Sequence, residues 1–108
     1  MAYYLVQAAY SGEACAALLK KPENRQEAVR AVVERMGGRV EGFWFSFGEY
    51  DVVLICQMPN NVTAAAFSMT ISAGGAAKAV KTTPLMTMEE GMEAMNKGAG
   101  AGYRPPGS

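Results

Sequence analysis

The chain has 108 residues, enough for one domain with one hydrophobic core, and half of them are hydrophobic, which excludes a disordered or fibrous protein. Ten basic residues balance ten acidic residues, so no net charge attracts the chain to nucleic acid or to an anionic membrane surface. The absence of histidine removes the commonest metal ligand and the Ser-His-Asp and Cys-His catalytic systems, and we expect neither a metal site nor a cofactor.

The first third of the chain predicts one strand followed by an interrupted helix. Residues 3–10 are apolar at nearly every position, as in a central strand with both faces covered. Residues 11–20 predict a helix whose first residue, a serine, is a suitable N-cap. The helical pattern resumes after Pro22, over residues 24–36, and the glycine pair 37–38 ends it.

The middle of the chain predicts a hairpin and a further helix. Residues 39–47 form a strand rich in aromatic side chains, and residues 51–58 form a continuous aliphatic strand. Residues 48–50 make the turn between these strands. The two asparagines that follow Pro59 offer a cap for a helix over residues 62–73.

The C-terminal third predicts an edge strand, a last helix and a tail. Residues 76–83 alternate small, basic and β-branched side chains before Pro84, and a sheet edge tolerates proline because it lacks a backbone donor. Thr87 and Glu90 have the spacing of a capping box that opens a helix reaching Lys97. One side of this helix carries three methionines, Met88, Met92 and Met95.

The order of these elements is βαββαβ followed by one more helix, which is typical of the ferredoxin-like α+β fold. In that fold an antiparallel sheet has the strand order 4-1-3-2, and both main helices lie on one face. We assign residues 1–97 to a single domain. Residues 98–108, rich in glycine and proline, are predicted to form an extended tail.

The other face of such a sheet is open, and the sequence predicts that it is apolar. The first and third strands carry aliphatic side chains on both faces: Leu5, Val53 and Ile55 on one, and Val6, Val52 and Leu54 on the other. A soluble monomer rarely exposes several hundred Å² of contiguous apolar surface. We therefore expect the chain to be its own partner, as a homodimer or higher homo-oligomer formed through this face.

The register of the hairpin decides which aromatic side chains share the open face. With a two-residue turn, Trp44 lies on that face together with the aliphatic residues of the next strand. With a three-residue loop, Phe43 and Phe45 lie there instead. The sequence leaves both registers open.

Polar residues in or beside the central strands are candidates for binding a ligand. Gln7 and Gln57 are predicted on adjacent parallel strands at similar depth, where buried amides require each other, a second subunit or a small polar ligand as partners. Lys78 and Arg39 are candidates for contacting an anionic ligand in a pocket between the sheet and a partner. Edge protection is the alternative explanation for Lys78.

The two cysteines, Cys15 and Cys56, show no spacing typical of a metal site or a redox motif. We expect both to be reduced and to pack as small core residues. The N-terminus does not resemble a secretory signal, and no run of 18 apolar residues exists. These features predict a cytoplasmic protein.

The hairpin carries a motif with a resemblance to a known family. The segment 41–53, EGFWFSFGEYDVV, resembles the signature of the GYD domain family, small bacterial proteins named for a Gly, Tyr, Asp motif. The resemblance extends over nearly the whole chain and implies a ferredoxin-like fold similar to that of dimeric α+β barrel proteins. It places the motif at Gly48, Tyr50 and Asp51. These residues either contact a ligand or shape the turn, with glycine at a positive φ and aspartate capping backbone amides.

Two classes of function remain open. An apolar face and few catalytic groups favour an oligomeric small-molecule-binding or regulatory protein. The alternative is a cofactor-free enzyme of the dimeric α+β barrel type, acting on a small aromatic or carbonyl compound between sheet and helices. A titratable group with a shifted pKa in an enclosed cavity would distinguish the enzyme, and a purely structural subunit would have no cavity. No catalytic residue is assigned, and the candidate ligand-binding residues are Gln7, Arg39, Trp44, Tyr50, Asp51, Gln57 and Lys78.

Overall fold

A computed structural model describes residues 1–107 of the chain. Within this range it contains four strands and four helices. In chain order they are β1 (Ala2–Tyr10), α1 (Gly12–Lys20), α2 (Gln26–Arg35), β2 (Arg39–Phe45), β3 (Val52–Met58), α3 (Asn61–Ala73), β4 (Ala77–Leu85) and α4 (Met88–Ala99). None of these helices is long and apolar enough to cross a membrane.

The four strands form one antiparallel sheet in the order β2-β3-β1-β4. This is the predicted order 4-1-3-2 counted from the opposite edge, so the ferredoxin-like α+β fold is confirmed. α2 and α3 pack on one face of the sheet, where the core lies. The largest fully buried side chains are Tyr4, Val33, Cys56, Met58 and Phe67.

The two faces of the sheet differ in burial as the alternation of side chains requires. Along β3, every second residue from Val52 to Met58 is buried beneath the helices, whereas Val53 and Ile55 remain partly exposed on the opposite side. Leu5 of β1 lies beside them, since it pairs with Ile55. We call this side, opposite α2 and α3, the open face. The three predicted aliphatic residues therefore share this face, together with the polar Gln7 and Gln57.

The helix caps predicted from the sequence are present. Ser11 and Asn60 each accept a hydrogen bond from the backbone N–H three residues ahead, at 3.1 and 2.9 Å. Thr87 and Glu90 form the reciprocal capping box that opens α4. Such caps satisfy backbone donors that have no partner within the helix, which is why local sequence locates these helix starts correctly.

The hairpin between β2 and β3 has the register of a two-residue turn. Trp44 pairs with Val53 and therefore lies on the open face, while Phe43 and Phe45 lie on the helical side. β2 ends two residues earlier than predicted. Gly48 has a φ of 131°, a conformation that residues with a Cβ rarely adopt, so its predicted role in the turn is confirmed.

The expectation that Gln7 and Gln57 are close neighbours on parallel strands is wrong. β1 and β3 are antiparallel, and Gln7 pairs with Val53 whereas Gln57 pairs with Tyr3. The two glutamines are thus four positions apart along the strands, about 13 Å at ~3.3 Å per residue. They share the open face, but they cannot be hydrogen-bond partners.

The expectation that both cysteines are core residues is right for only one of them. Both are free thiols; Cys56 is buried in β3, but Cys15 is exposed on α1. α1 has no buried residue, because it packs loosely at the edge of the helical layer. Its residues therefore border a cleft rather than the core.

The C-terminal segment stands away from the rest of the molecule. Every described residue after Pro84 is exposed except the partly buried Gly91, and α4 contains no buried residue. The radius of gyration is 17.4 Å, whereas a compact chain of this length has one of about 13 Å. The longest dimension, 58 Å, reflects this projection. We call residues 86–107 the arm.

Candidate functional site

A cleft opens between α1, the segment that links α1 to α2, and the end of the hairpin. Its outer part has a volume of about 440 Å³ and is lined by Tyr10, Cys15, Leu18, Leu19, Pro22, Glu23, Phe45 and Asp51. A deeper cavity of about 270 Å³ lies between the sheet and the helices α2 and α3. Tyr10 lines both, so it stands where the outer cleft meets the inner cavity.

The interruption of the helical layer creates this cleft. α1 ends at Lys20 and α2 begins at Gln26, with Pro22 between them, so two short helices stand where a continuous helix would cover the sheet. Phe45 lies on the helical side of β2 and is nevertheless 73% exposed. The sequence thus leaves one corner of the helical face uncovered.

The walls of the inner cavity are mainly aliphatic and aromatic. They include Val6, Val29, Phe43, Leu54, Phe67 and Ile71. Three polar side chains, those of Tyr10, Arg25 and Thr70, also line it. A concave apolar site with a small number of polar groups is typical of small-molecule pockets.

Tyr10 is held in place by the hairpin. Its backbone N–H donates a hydrogen bond to Oδ2 of Asp51 at 2.8 Å, and the Asp51 N–H donates to the carbonyl of Ala8 at 2.9 Å. Burial raises the pKa of Tyr10; the charge of Arg25 acts in the opposite direction and that of Asp51 adds to the increase. The phenol is therefore a neutral hydrogen-bond donor at neutral pH.

The charged groups around the cleft are of both signs. Nη1 of Arg25 lies 2.7 Å from Oε1 of Glu23, and both side chains are about half exposed. Asp51 adds a second carboxylate to the lining. With one guanidinium and two carboxylates, the cleft has no excess positive charge that would select an anion.

No three His, Cys, Asp or Glu side chains within residues 1–107 converge on a point that a metal ion would occupy.

A second polar group, centred on Glu41, occupies one end of the open face. Oε1 of Glu41 accepts hydrogen bonds from Nε and Nη2 of Arg39 at 2.9 and 2.8 Å, and from Nε2 of Gln57 at 2.5 Å. The hydrogen bond from Gln57, followed by that from Arg39, lowers the pKa of Glu41. A β-bulge between Val40 and Gly42 leaves Glu41 unpaired, so it can turn toward Gln57.

The structure separates the seven predicted ligand-binding residues into two groups and one outlier. Four of them lie on the open face: Gln7, Arg39, Trp44 and Gln57. Asp51 lines the cleft on the helical side, and Tyr50 precedes it in the hairpin loop. Lys78 is the extra residue of a β-bulge in the edge strand β4 and is exposed.

The sequence interpretation missed Tyr10, Arg25 and Glu41 as site residues. Tyr10 ends a buried strand immediately before a helix cap, and a polar-tipped aromatic side chain at that position was the available signal. Arg25 has no comparable signal, because it reaches the cleft only through the packing of α2. The contact between Glu41 and Gln57 depends on the bulge in β2, which no local sequence pattern predicts.

Comparison with solved structures supports the fold alone. The crystal structure of FFRP-DM1 has a TM-score of 0.50 and 15% identity, covering 80% of this chain and 100% of that chain. A hypothetical protein, PHS023 from Pyrococcus horikoshii, has a TM-score of 0.52 and 12% identity, covering 81% of this chain and 92% of that chain. No curated protein matches the sequence significantly.

The family comparison agrees with the motif in the hairpin. The model of the GYD domain matches residues 4–95, from the first strand into the last helix. This range includes both the Tyr10 cleft and the open face. Since the match covers most of the chain, the protein belongs to the GYD domain family.

Proposed function

We propose that this protein is a homo-oligomeric small-molecule-binding protein whose ligand lies in the cleft around Tyr10. The observation that carries this proposal is the cavity of about 270 Å³ between sheet and helices, which shares Tyr10 with the outer cleft of about 440 Å³. An apolar cavity of only ~150 Å³ suffices for benzene. A purely structural subunit would have no need for this internal space.

The lining favours a small, mostly apolar ligand with one uncharged hydrogen-bonding group. The apolar walls offer transfer free energy of ~25 cal/mol per Å² of buried ligand surface. The Tyr10 hydroxyl can donate one hydrogen bond to such a group. Arg25 is already paired with Glu23, so a carboxylate ligand would have to compete for it.

The same tyrosine bears on the enzymatic alternative. Tyr10 has a shifted pKa within a cavity, but the shift is upward, so the phenol keeps its proton at neutral pH. It can donate a hydrogen bond but cannot act as a general base there. This favours binding over general-base catalysis at this position.

Self-association is the second part of the proposal. The open face exposes part of Leu5, Val53 and Ile55, and the Trp44 side chain is 54% exposed. A second copy that packs against this face would remove its apolar surface from water. Native mass spectrometry of freshly purified protein reports the subunit number and any retained ligand in one measurement.

The cleft is tested with three benzene derivatives that differ in charge: benzyl alcohol, benzoate and benzylamine. Binding is followed by chemical-shift changes of backbone amides in the ¹⁵N-labelled protein. We expect benzyl alcohol to bind most tightly, with the largest shifts at Tyr10, Phe43 and Phe45. Preferred binding of benzoate would contradict the neutral ligand class.

A pair of variants on one hairpin locates the site. Phe45→Ala removes a wall of the cleft, and we expect it to weaken benzyl alcohol binding by about tenfold, equivalent to ~1.4 kcal/mol. Phe47→Ala is the control, because Phe47 is 94% exposed and belongs to the same hairpin outside the cleft lining. Equal effects of both variants, or none in either, would overturn the assignment of the cleft.

A further inference from the structure

The arm and the open face are two apolar surfaces that the single chain leaves uncovered. We propose that α4 and the tail pack across the open face of a second copy of this chain, so that the arm of each subunit contacts the sheet of the other. This inference rests on the proposed self-association and adds the element that completes the interface. It assigns a role to residues 86–107, which contribute nothing to the core of their own subunit.

α4 has the character of a docking helix. Met88, Met92 and Met95 recur at helical spacing and are between 61% and 81% exposed. Methionine side chains adapt to irregular surfaces, which suits contact with a pleated sheet. A 12-residue helix is marginal in water without tertiary contacts, yet its capping box specifies its start. We infer that the missing contacts come from another chain.

The dimensions of the arm match those of the sheet. Twelve helical residues span about 18 Å at ~1.5 Å per residue. Four strands at a spacing of ~4.8 Å give a sheet about 19 Å wide. The helix can therefore cross the whole width of the open face.

The area of the sheet face alone is small for a stable dimer. With strands of about eight residues at ~3.3 Å each, the face measures roughly 500 Å² in projection. A standard interface buries ~800 Å² on each partner. With α4 laid across this face, each subunit buries the covered part of its own face and the contacting side of its own helix, roughly 200 Å² each for a side ~10 Å wide, and the tail adds to both areas.

The charges of the arm complement those of the edge strand. α4 carries Glu89, Glu90, Glu93 and Lys97, whereas β4 carries Lys78 and Lys81. Lys81 pairs with Gln7 in the sheet and so lies on the open face. Glu93 pairs with Lys97 within α4, but no ion pair inside residues 1–107 engages Lys78, Lys81 or Glu89. An acidic helix and a basic edge favour each other across an interface.

Paramagnetic relaxation between two chains tests the contact directly. A spin label is attached at Ala94→Cys, on α4 but away from the methionine side, and Cys15→Ser removes the exposed native thiol. This spin-labelled chain, at natural nitrogen abundance, is mixed with a ¹⁵N-labelled chain. We expect broadening of the amide signals of Leu5, Gln7 and Val53 in the ¹⁵N chain. The control label at Val62→Cys, on the outer side of α3, should leave these signals sharp.

The outcomes separate this inference from the one on which it rests. A protein that remains monomeric at millimolar concentration overturns both self-association and the arm contact. An oligomer without broadening at the open face overturns the arm contact alone. In a separate sample, the spin label and ¹⁵N are placed on the same chain. Broadening at the open face in this sample, without broadening in the mixed sample, would show that the arm folds back on its own sheet.

Substitutions on α4 provide a second test that does not depend on the label. We expect Met92→Asp to weaken the dimer by about tenfold or more, because a carboxylate replaces an apolar side chain that would be buried in the contact. Ala94→Asp adds the same charge to the same helix about 130° away from the methionine side and should leave dimer dissociation unchanged. Equal dissociation constants for the two variants, measured by analytical ultracentrifugation, would overturn the proposal.

Discussion

At the scale of single residues, the surroundings of Cys56 show how the sheet changes the chemistry of a side chain. The thiol is fully buried in β3, and this burial raises the pKa of Cys56 to about 11 from an ordinary value of 9.0. The thiolate, which is the reactive form, is thereby disfavoured. Cys15 lies exposed at the cleft and is the accessible thiol of the pair.

This shift predicts a loss of stability at alkaline pH. The unfolded chain releases the Cys56 proton near pH 9, whereas the folded chain retains it to about pH 11, so the free energy of unfolding falls as pH rises between these values. Two pKa units correspond to about 3 kcal/mol. Urea denaturation of Cys56→Ala should show a correspondingly flatter pH dependence, with Cys15→Ser as control. Identical slopes for Cys56→Ala and the unmodified chain would contradict this prediction.

Asp51 illustrates how a motif residue can have a structural partner beyond its own turn. The sequence suggested that it caps turn amides or contacts a ligand. In the structure its carboxylate accepts a hydrogen bond from the backbone N–H of Tyr10, which is the last residue of β1. Asp51 also lines the cleft. The hairpin is thereby joined to the strand that carries the central tyrosine. The structural role of Asp51 and a contact with a ligand therefore both concern the cleft around Tyr10.

At the scale of elements, the junction between α2 and β2 is closely packed against the sheet. Gly37 has a φ of 84° and ends the helix, as a left-handed residue at this position commonly does. The next residue, Gly38, lies directly against β3. A Cβ on Gly38 would lie 2.5 Å from both the carbonyl oxygen of Gln57 and the sulfur of Met58. The backbone of α2 and the sheet can approach each other only because this side chain is absent.

Substitution at this junction should therefore be costly. We expect Gly38→Ala to lower the free energy of unfolding by about 1–3 kcal/mol, because the clash involves backbone and core atoms that must shift. Gly12→Ala is the matched control: nothing lies within 4 Å of its Cβ position at the start of α1, so the change should be neutral or slightly stabilising. Thermal denaturation of both variants measures the difference, and equal midpoints would show that the junction relaxes freely.

At the scale of the whole molecule, the open face and the arm are the two surfaces on which the proposed self-association depends. Both carry exposed apolar side chains, and neither belongs to the core cluster. Exposed apolar area of this kind is costly to keep in water.

Charges on the open face should therefore disrupt the oligomer. We expect the double substitution Val53→Glu and Ile55→Glu to yield a monomer or an unfolded chain, because two carboxylates would be desolvated at the interface. The control double substitution Val62→Glu and Met69→Glu makes equivalent changes on α3, where these residues are 79% and 71% exposed. Sedimentation velocity distinguishes monomer from dimer, and circular dichroism reports unfolding. An unchanged oligomer of unchanged stability would exclude the open face as the interface.

Local patterns in the sequence were sufficient to predict the elements and their order. Helix starts depend on caps such as Ser11 and Thr87, which act within three residues. Strand faces follow from alternation, so the apolar open face was predictable from Leu5, Val53 and Ile55 alone. The hairpin register was not, because two loop lengths agreed equally well with the sequence and only strand pairing selected Trp44 for the open face.

The sequence by itself determined the ferredoxin-like order and the presence of two apolar sheet faces, because hydrophobic periodicity and capping are local properties of the chain. Only the tertiary structure decided which polar groups meet. Tyr10, Arg25 and Asp51 converge from three separate elements, and Glu41 reaches Gln57 through a bulge. Such contacts depend on register and on how helices pack on the sheet, and these depend on the balance of interactions across the whole molecule.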